Sequence, residues 1–199
     1  MKTYEVIRTA GAPDWQKVPA IQIDNRLWSD VDGITPSAQV CWDEDALYVR
    51  LQTLEENILR RFTGDMDPVY TDSCLEFFFC PEPDNRYFNF EMNPNGSLYL
   101  GFGKPGAERC RLYREDFRDI FHIRPFDIPG GWGIELKIPV SFVRIYVPEF
   151  QLHAGLELRG NFFKCGDETA APHYMAWSKV EFPTPRFHLP EYFGTLILK

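Results

Sequence analysis

The stretch DSCLEFFFCPEPDNRYFNFEMNPNG, residues 72–96, decides the fold. It divides into two alternating runs around a turn rich in Pro, Asp and Asn. In the first run Leu75, Phe77 and Phe79 fall on one face, and Cys74, Glu76, Phe78 and Cys80 on the other. In the second, Phe88, Phe90 and Met92 alternate with Tyr87, Asn89, Glu91 and Asn93. Successive side chains of a strand point to opposite faces, so this period of two predicts a half-buried antiparallel hairpin with one apolar face on each strand. The opposite faces set Glu76, Asn89 and Glu91 among aromatic rings, where a solvated face would carry Lys, Thr and Ser. That mixed face is the first sign of a binding surface.

The flanking sequence is built the same way. AQVCWDEDALYVRLQTLEE, residues 38–56, reads as a hairpin with Asp43–Asp45 at its tip. Val40 and Trp42 on its first arm point inward, as do Leu47, Val49 and Leu51 on its second; Tyr48, Arg50 and Gln52 take the far face. FHIRPFDI and GWGIELKIPV flank a Pro-Gly-Gly turn, LHAGLELRGNFFKCG is a late strand, and GTLILK closes the sheet. Helical turns are expected at ENILRRF and VSFVRIY, while RCRLYREDF fits either a strand or a short helix. Trp42, Trp132 and Trp177 read as core. Seventeen Phe, nine Tyr and five Trp favour strands, and sixteen Pro and fourteen Gly supply turns. The expected fold is an all-β antiparallel sandwich, jelly-roll or immunoglobulin-like, with short helical turns in its loops. With no internal repeat and no linker, residues 1–199 are expected to form a single domain.

A net charge of −8 lacks the basic footprint that nucleic acid or an anionic membrane requires. The N-terminus has no apolar segment of signal-peptide type, so the chain as written is expected to be cytoplasmic, or extracytoplasmic if a leader precedes it. Five cysteines without a CxxC pair read as buried free thiols, and their spacing offers no zinc ligand set. Asp65, Asp67 and Asp72 supply oxygen ligands for calcium, but their spacing matches no defined calcium loop, and no metal or other cofactor is assigned.

WDEDALYV, PVYTDSCLEFFF and YFNFEMNPNGS, followed by RGNFFKCGD, PHYMAWS and PEYFGTL, resemble in order the family 9 carbohydrate-binding modules of xylan-degrading enzymes. The free-standing family 9-like proteins are closer still, and the resemblance runs from Ile21 to Leu198. It implies a β-sandwich that holds a sugar end between two aromatic side chains. Tyr70, ahead of the D-S-hydrophobic-E strand, and Phe187, ahead of PEYFG, take those two places. The family usually has Trp at both. Glu76 matches the family's strand glutamate and Asn161 a late-strand asparagine; Asn89 and Glu91 stand where the family has Gln and Arg.

The physics of sugar recognition suits this set, since a pyranose offers an apolar C–H face to a ring and a rim of hydroxyls to polar groups. Arg50, Gln52, Glu76, Asn89, Glu91, Glu157, Arg159 and Asn161 all fall on non-core faces by alternation. They equally fit a solvated sheet face laced by cross-strand ion pairs. Three functions stay open. The favoured one is non-catalytic binding of a mono- or oligosaccharide of xylan or cellulose type, in carbohydrate catabolism, through Tyr70, Phe187, Glu76, Asn89, Glu91, Arg50, Arg159 and Asn161. The others are a xylanase-like glycoside hydrolase using Glu76 and Glu91, and an interaction domain that has lost sugar binding. No residue is assigned a catalytic role, and the oligomeric state is not legible.

Overall fold

The computed structural model describes residues 2–106 and 108–199. In chain order its strands are β1 (Thr3–Arg8), β2 (Ile21–Gln22), β3 (Asn25–Leu27), β4 (Thr35–Trp42), β5 (Ala46–Leu54), β6 (Cys74–Cys80) and β7 (Tyr87–Met92). They continue as β8 (Leu98–Gly103), β9 (Cys110–Arg111), β10 (Arg124–Ile128), β11 (Gly131–Pro139), β12 (Glu157–Gly166), β13 (His173–Ala176) and β14 (Gly194–Leu198). Two short helices, α1 (Phe117–Ile120) and α2 (Val140–Val143), sit in the connections. The segment RCRLYREDF holds both the strand β9 and the start of α1. At ENILRRF there is no helix, because the segment's backbone N–H groups are taken by neighbours of β6. Arg61 and Phe62 donate to the Asp72 carboxylate and Leu59 to the Ser73 hydroxyl, which holds the segment extended.

The strands form a β-sandwich. One sheet runs β10-β11-β5-β4, with β2 on the outside of β4. The other runs β14-β12-β6-β7-β8-β9, with β13 and β3 extending it beside β12. The pairing is antiparallel throughout except at β1, which runs parallel to both its neighbours. Residues Thr3 to Val6 pair with β14 in one sheet, and Ile7 and Arg8 pair with β4 in the other. β1 is thus a corner strand shared by the two layers.

The alternation read from the sequence sets the core. Leu75, Phe77, Phe79, Phe88, Phe90 and Met92 face Val40, Trp42, Leu47, Val49, Leu51 and Trp132 across the sandwich. Phe77 stacks on Phe162 at 4.8 Å and Phe79 on Phe88 at 5.5 Å, within the range of favourable ring pairs. The expected half-burial of the hairpin is exceeded. All of β6 and β7 is buried on both faces. A second apolar cluster on the outer face, built from Phe78, Tyr87, Phe163, Phe187, Leu189 and Phe193, covers it with residues of the loop before β14. β6 also lies between β12 and β7, so neither of its edges is free.

One polar network bridges the two sheets. The fully buried Lys164 Nζ lies 3.2 Å from Glu55 Oε2, 2.6 Å from His173 Nε2 and 2.8 Å from the Cys165 carbonyl. Trp132 Nε1 and the Ser73 hydroxyl donate to the two Glu55 oxygens. A buried charge is tolerated only when it is paired and hydrogen-bonded, and this one is both.

Burial, with the Lys164 ammonium, lowers the His173 pKa to about 4. Below its ordinary value of 6.5 the unfolded chain takes up the proton first. The contribution of neutral His173 is therefore fully present above 6.5 and lost as pH falls through about 4. In denaturant unfolding at about pH 7.5 and about pH 4.5, the wild type should lose about 2 kcal/mol more between the two than His173→Gln does. Equal losses would show that His173 does not titrate against the fold.

Candidate functional site

The outer face of β6, β7, β8 and β12 carries a cavity of about 310 Å³. Glu76 and Glu91 are directly opposed on β6 and β7, and Tyr99 on β8 is the next partner of Glu91. Cys165, near the end of β12, adds its thiol to the floor. Asp167 follows from the β12–β13 turn, Tyr174 lies on β13, and Arg186, Phe187 and His188 come from the loop before β14. Tyr70 closes the remaining side from the one-turn 3-10 helix Val69–Thr71.

The two aromatic walls differ. Tyr70 is 39% exposed and meets Tyr99 edge-on at 6.1 Å. Phe187 is buried. It stacks on Phe163 at 4.2 Å with an interplanar angle of 13° and lies 5.7 Å from Trp28. A ring so packed is part of the scaffold as well as the wall. Tyr70 is the freer surface for a ligand's C–H face.

The floor is a set of acids held out of water. Cys165 Sγ lies 3.0 Å from Glu76 Oε1. Burial, with Cys165 and Glu91 beside it, pushes the Glu76 carboxyl well above the ordinary range. Burial pushes Glu91 up to about 7, partly offset by the Asn89 amide, which donates to Oε1 at 2.6 Å, and by the Arg109 guanidinium. Asp167 is raised by burial too. His188 stacks on Phe78 at 5.0 Å, and its Nδ1 lies 2.9 Å from the Tyr87 hydroxyl. Burial, with Arg109 and Arg186 nearby, lowers it to about 3, so at neutral pH it is an uncharged ring.

Arg109 lies behind this floor. Its guanidinium sits 4.5 Å over the Tyr87 ring, while buried Nη1 and Nη2 have no hydrogen-bond partner, and neither does Asn89 Oδ1. Both groups occupy space beside Gly101. A Cβ there would stand 2.7 Å from Asn89 Oδ1 and 3.0 Å from Arg109 Nη2, so a side chain at this strand position would displace one of them.

The structure therefore brings together Tyr70, Phe187, Glu76 and Glu91, with Asn89 behind Glu91. Three other expected residues are engaged elsewhere. Arg50 belongs to the opposite sheet, where it pairs with Glu135 at 3.3 Å and lies over Phe126. Arg159 bonds to Asn85 Oδ1 and the Pro190 carbonyl and so ties down the loop before β14. Asn161 is buried, its amide donating to the Ser178 carbonyl and accepting from the Ser178 and Phe162 N–H groups. Alternation assigns a face but neither a sheet nor a height along the strand. The acids proposed for calcium are also committed one by one. Asp72 accepts from Arg61, Phe62 and Asn93, Asp65 from the Leu98 N–H, and Asp67 from the Gly64 N–H.

A sequence model described as carbohydrate-binding family 9 matches residues 10–198. The chain belongs to carbohydrate-binding family 9. Among solved structures, a presumptive carbohydrate-binding protein from Bacteroides uniformis is 26% identical, with a TM-score of 0.85 over 100% of this chain and 99% of that one. The family 9 module from Caldicellulosiruptor kristjanssonii, solved with glucose, has a TM-score of 0.67 at 15% identity over 100% of this chain and 96% of that one. With cellotriose bound it gives 0.67 at 16%, covering 100% and 94%. No curated protein matches the chain in sequence.

In this cavity and just behind it, Tyr99, Cys165, Asp167, Tyr174, Arg109 and Arg186 go beyond the residues expected from the sequence. Tyr99, Cys165 and Tyr174 lie in segments with a strand signal; Arg109, Asp167 and Arg186 come from irregular segments that alternation does not describe. The two walls predict a contrast. Phe187→Ala should destabilise the fold by about 3 kcal/mol, because it empties a packed aromatic position. Tyr70→Ala, at an exposed position, should cost less than about 1 kcal/mol. Denaturant unfolding of both variants measures this, and equal costs would show that Phe187 does not anchor its loop.

Proposed function

We propose that this family 9 protein binds the end of a plant-polysaccharide oligosaccharide, of cellulose or xylan type, and does not cleave it. The observation that carries this reading is the cavity itself, an exposed ring at the mouth and two opposed carboxyl groups on a buried floor. Its volume lies at the low end of small-molecule sites, about 300–1,000 Å³, which suits a sugar end better than a length of polymer. Tyr70 offers a face to the apolar side of a pyranose, and Phe187 forms the opposite wall. Glu91, held from behind by the Asn89 amide, accepts from hydroxyls, and Glu76, whose burial makes it hold its proton more tightly, donates. The glucose and cellotriose complexes of the Caldicellulosiruptor kristjanssonii module support the same class of ligand.

Cleavage is disfavoured by the placement of the acids. Glycosidases set two carboxyl groups on either side of the scissile bond. Here Glu76 and Glu91 rise side by side from adjacent strands and meet a ligand from the same side.

Calorimetric titration with glucose, xylose, cellobiose and xylobiose, each beside its borohydride-reduced form, tests the reading. Heat is expected with the intact sugars, and the reduced forms identify which end is held. Glu91→Gln and Tyr70→Ala should each weaken binding by about tenfold, the equivalent of one charged hydrogen bond or one stacked ring. New sugar products after overnight incubation would replace this reading with the hydrolase. Absence of heat with every sugar would leave an interaction domain.

A further inference from the structure

Two thiols that the sequence places far apart meet under the cavity. Cys74 on β6 and Cys165 on β12 are direct cross-strand partners, with side chains on the same outer face as Glu76. The ligand atoms of Cys74, Glu76 and Cys165 all lie within 4.8 Å of one another, and all three side chains are buried. Among the described residues this is the one cluster of three such groups. A buried thiol alone is an ordinary small hydrophobe. Two thiols closing on a buried carboxyl group, with Cys165 Sγ already 3.0 Å from Glu76 Oε1, make a compact mixed set of sulfur and oxygen donors.

We propose that Cys74, Cys165 and Glu76 form a binding site for a thiophilic divalent cation of the zinc(II) class. Two sulfurs and one carboxylate oxygen exclude the oxygen-only preference of calcium and magnesium, and they match the mixed donor sets of zinc. Three protein ligands leave one tetrahedral position free. Both Cys165 and Glu76 line the cavity, so that position opens toward it. Glu91, the cross-strand partner of Glu76, stands beside it. The ligand spacing that excludes zinc in the sequence is supplied by the register of β6 against β12. Ion binding expels the protons of both thiols and of the Glu76 carboxyl to solvent, as it must for thiolate and carboxylate ligands. Burial has pushed the Cys74 thiol up to about 12, and the contact with Cys74 followed by burial raises Cys165, so the positive ion supplies the charge that would ionise them.

The site shares Glu76 and the cavity with the sugar reading but does not rest on it, and its test contains no sugar. Reduced, chelator-stripped protein is titrated with cobalt(II) and followed by absorption. Sulfur-to-cobalt charge transfer in the near ultraviolet is expected, saturating at one ion per chain and abolished by equimolar zinc(II). Cys74→Ser and Cys165→Ser should each lose it, while Cys110→Ser, which alters the exposed thiol, should keep it. Should a buried variant fail to fold, the wild type still decides. Zinc(II) should raise its melting temperature as a ligand of the native state does, and calcium(II) should not. No charge transfer in the wild type, or its survival in Cys74→Ser, would overturn the proposal.

Discussion

Everything at the site follows from the burial of β6 on both faces. An antiparallel strand ordinarily keeps one face in water. Here Leu75, Phe77 and Phe79 point into the sandwich, while Cys74, Glu76, Phe78 and Cys80 are covered from outside by the loop before β14 and by Tyr87. Removing a carboxyl group from water is costly unless it is neutralised or bonded. Glu76 therefore holds its proton more tightly, and Glu91 relies on Asn89 and Arg109. Two poised acids on a dry floor are the direct result of covering that face.

The cover is held in turn by contacts remote from the cavity. Phe187 rests on Phe163 and Trp28, and Tyr192 reaches the Glu181 carbonyl with its hydroxyl. Arg159 bonds the Pro190 carbonyl from the strand beneath. On the other side the Lys164–Glu55–His173 network fastens β12 to the opposite sheet through Trp132. Both the loop and the network are anchored on β12, at Phe163 and Lys164, adjacent residues on opposite faces. The strand thereby fixes the height of the cavity floor relative to its walls.

Much of this was legible in the sequence, because alternation is a local signal. The partition of residues 74–80 and 87–92 into two faces, the inward tryptophans and the hairpin at Asp43–Asp45 all depend on neighbours two positions apart. Tyr70 and Phe187 came from the family resemblance, and both line the cavity. What could not be read depends on which strands meet. Arg50 has the right parity on the wrong sheet. Asn161 has the right sheet but lies against Ser178, whose backbone consumes its amide. Arg109 and Asp167 enter from loops whose paths no period encodes, and the opposition of Cys74 and Cys165 appears only once β6 and β12 are in register.

The resemblance that sets Tyr70 and Phe187 in the places of two family tryptophans then has a structural meaning. Stacking strength rises with ring area, so smaller rings shift the work of recognition to polar contacts. Phe187 gives one face to Phe163 and so cannot serve as a free platform, whatever its size. Tyr70 is left as the most exposed phenyl-type ring of the lining, and Glu76, Glu91, Asp167 and Arg186 surround the space beneath it. On the proposed sugar reading, a ligand would be discriminated chiefly by how its hydroxyls meet these buried acids. Covering the outer face of β6 makes those acids, and the same cover commits Phe187 to packing.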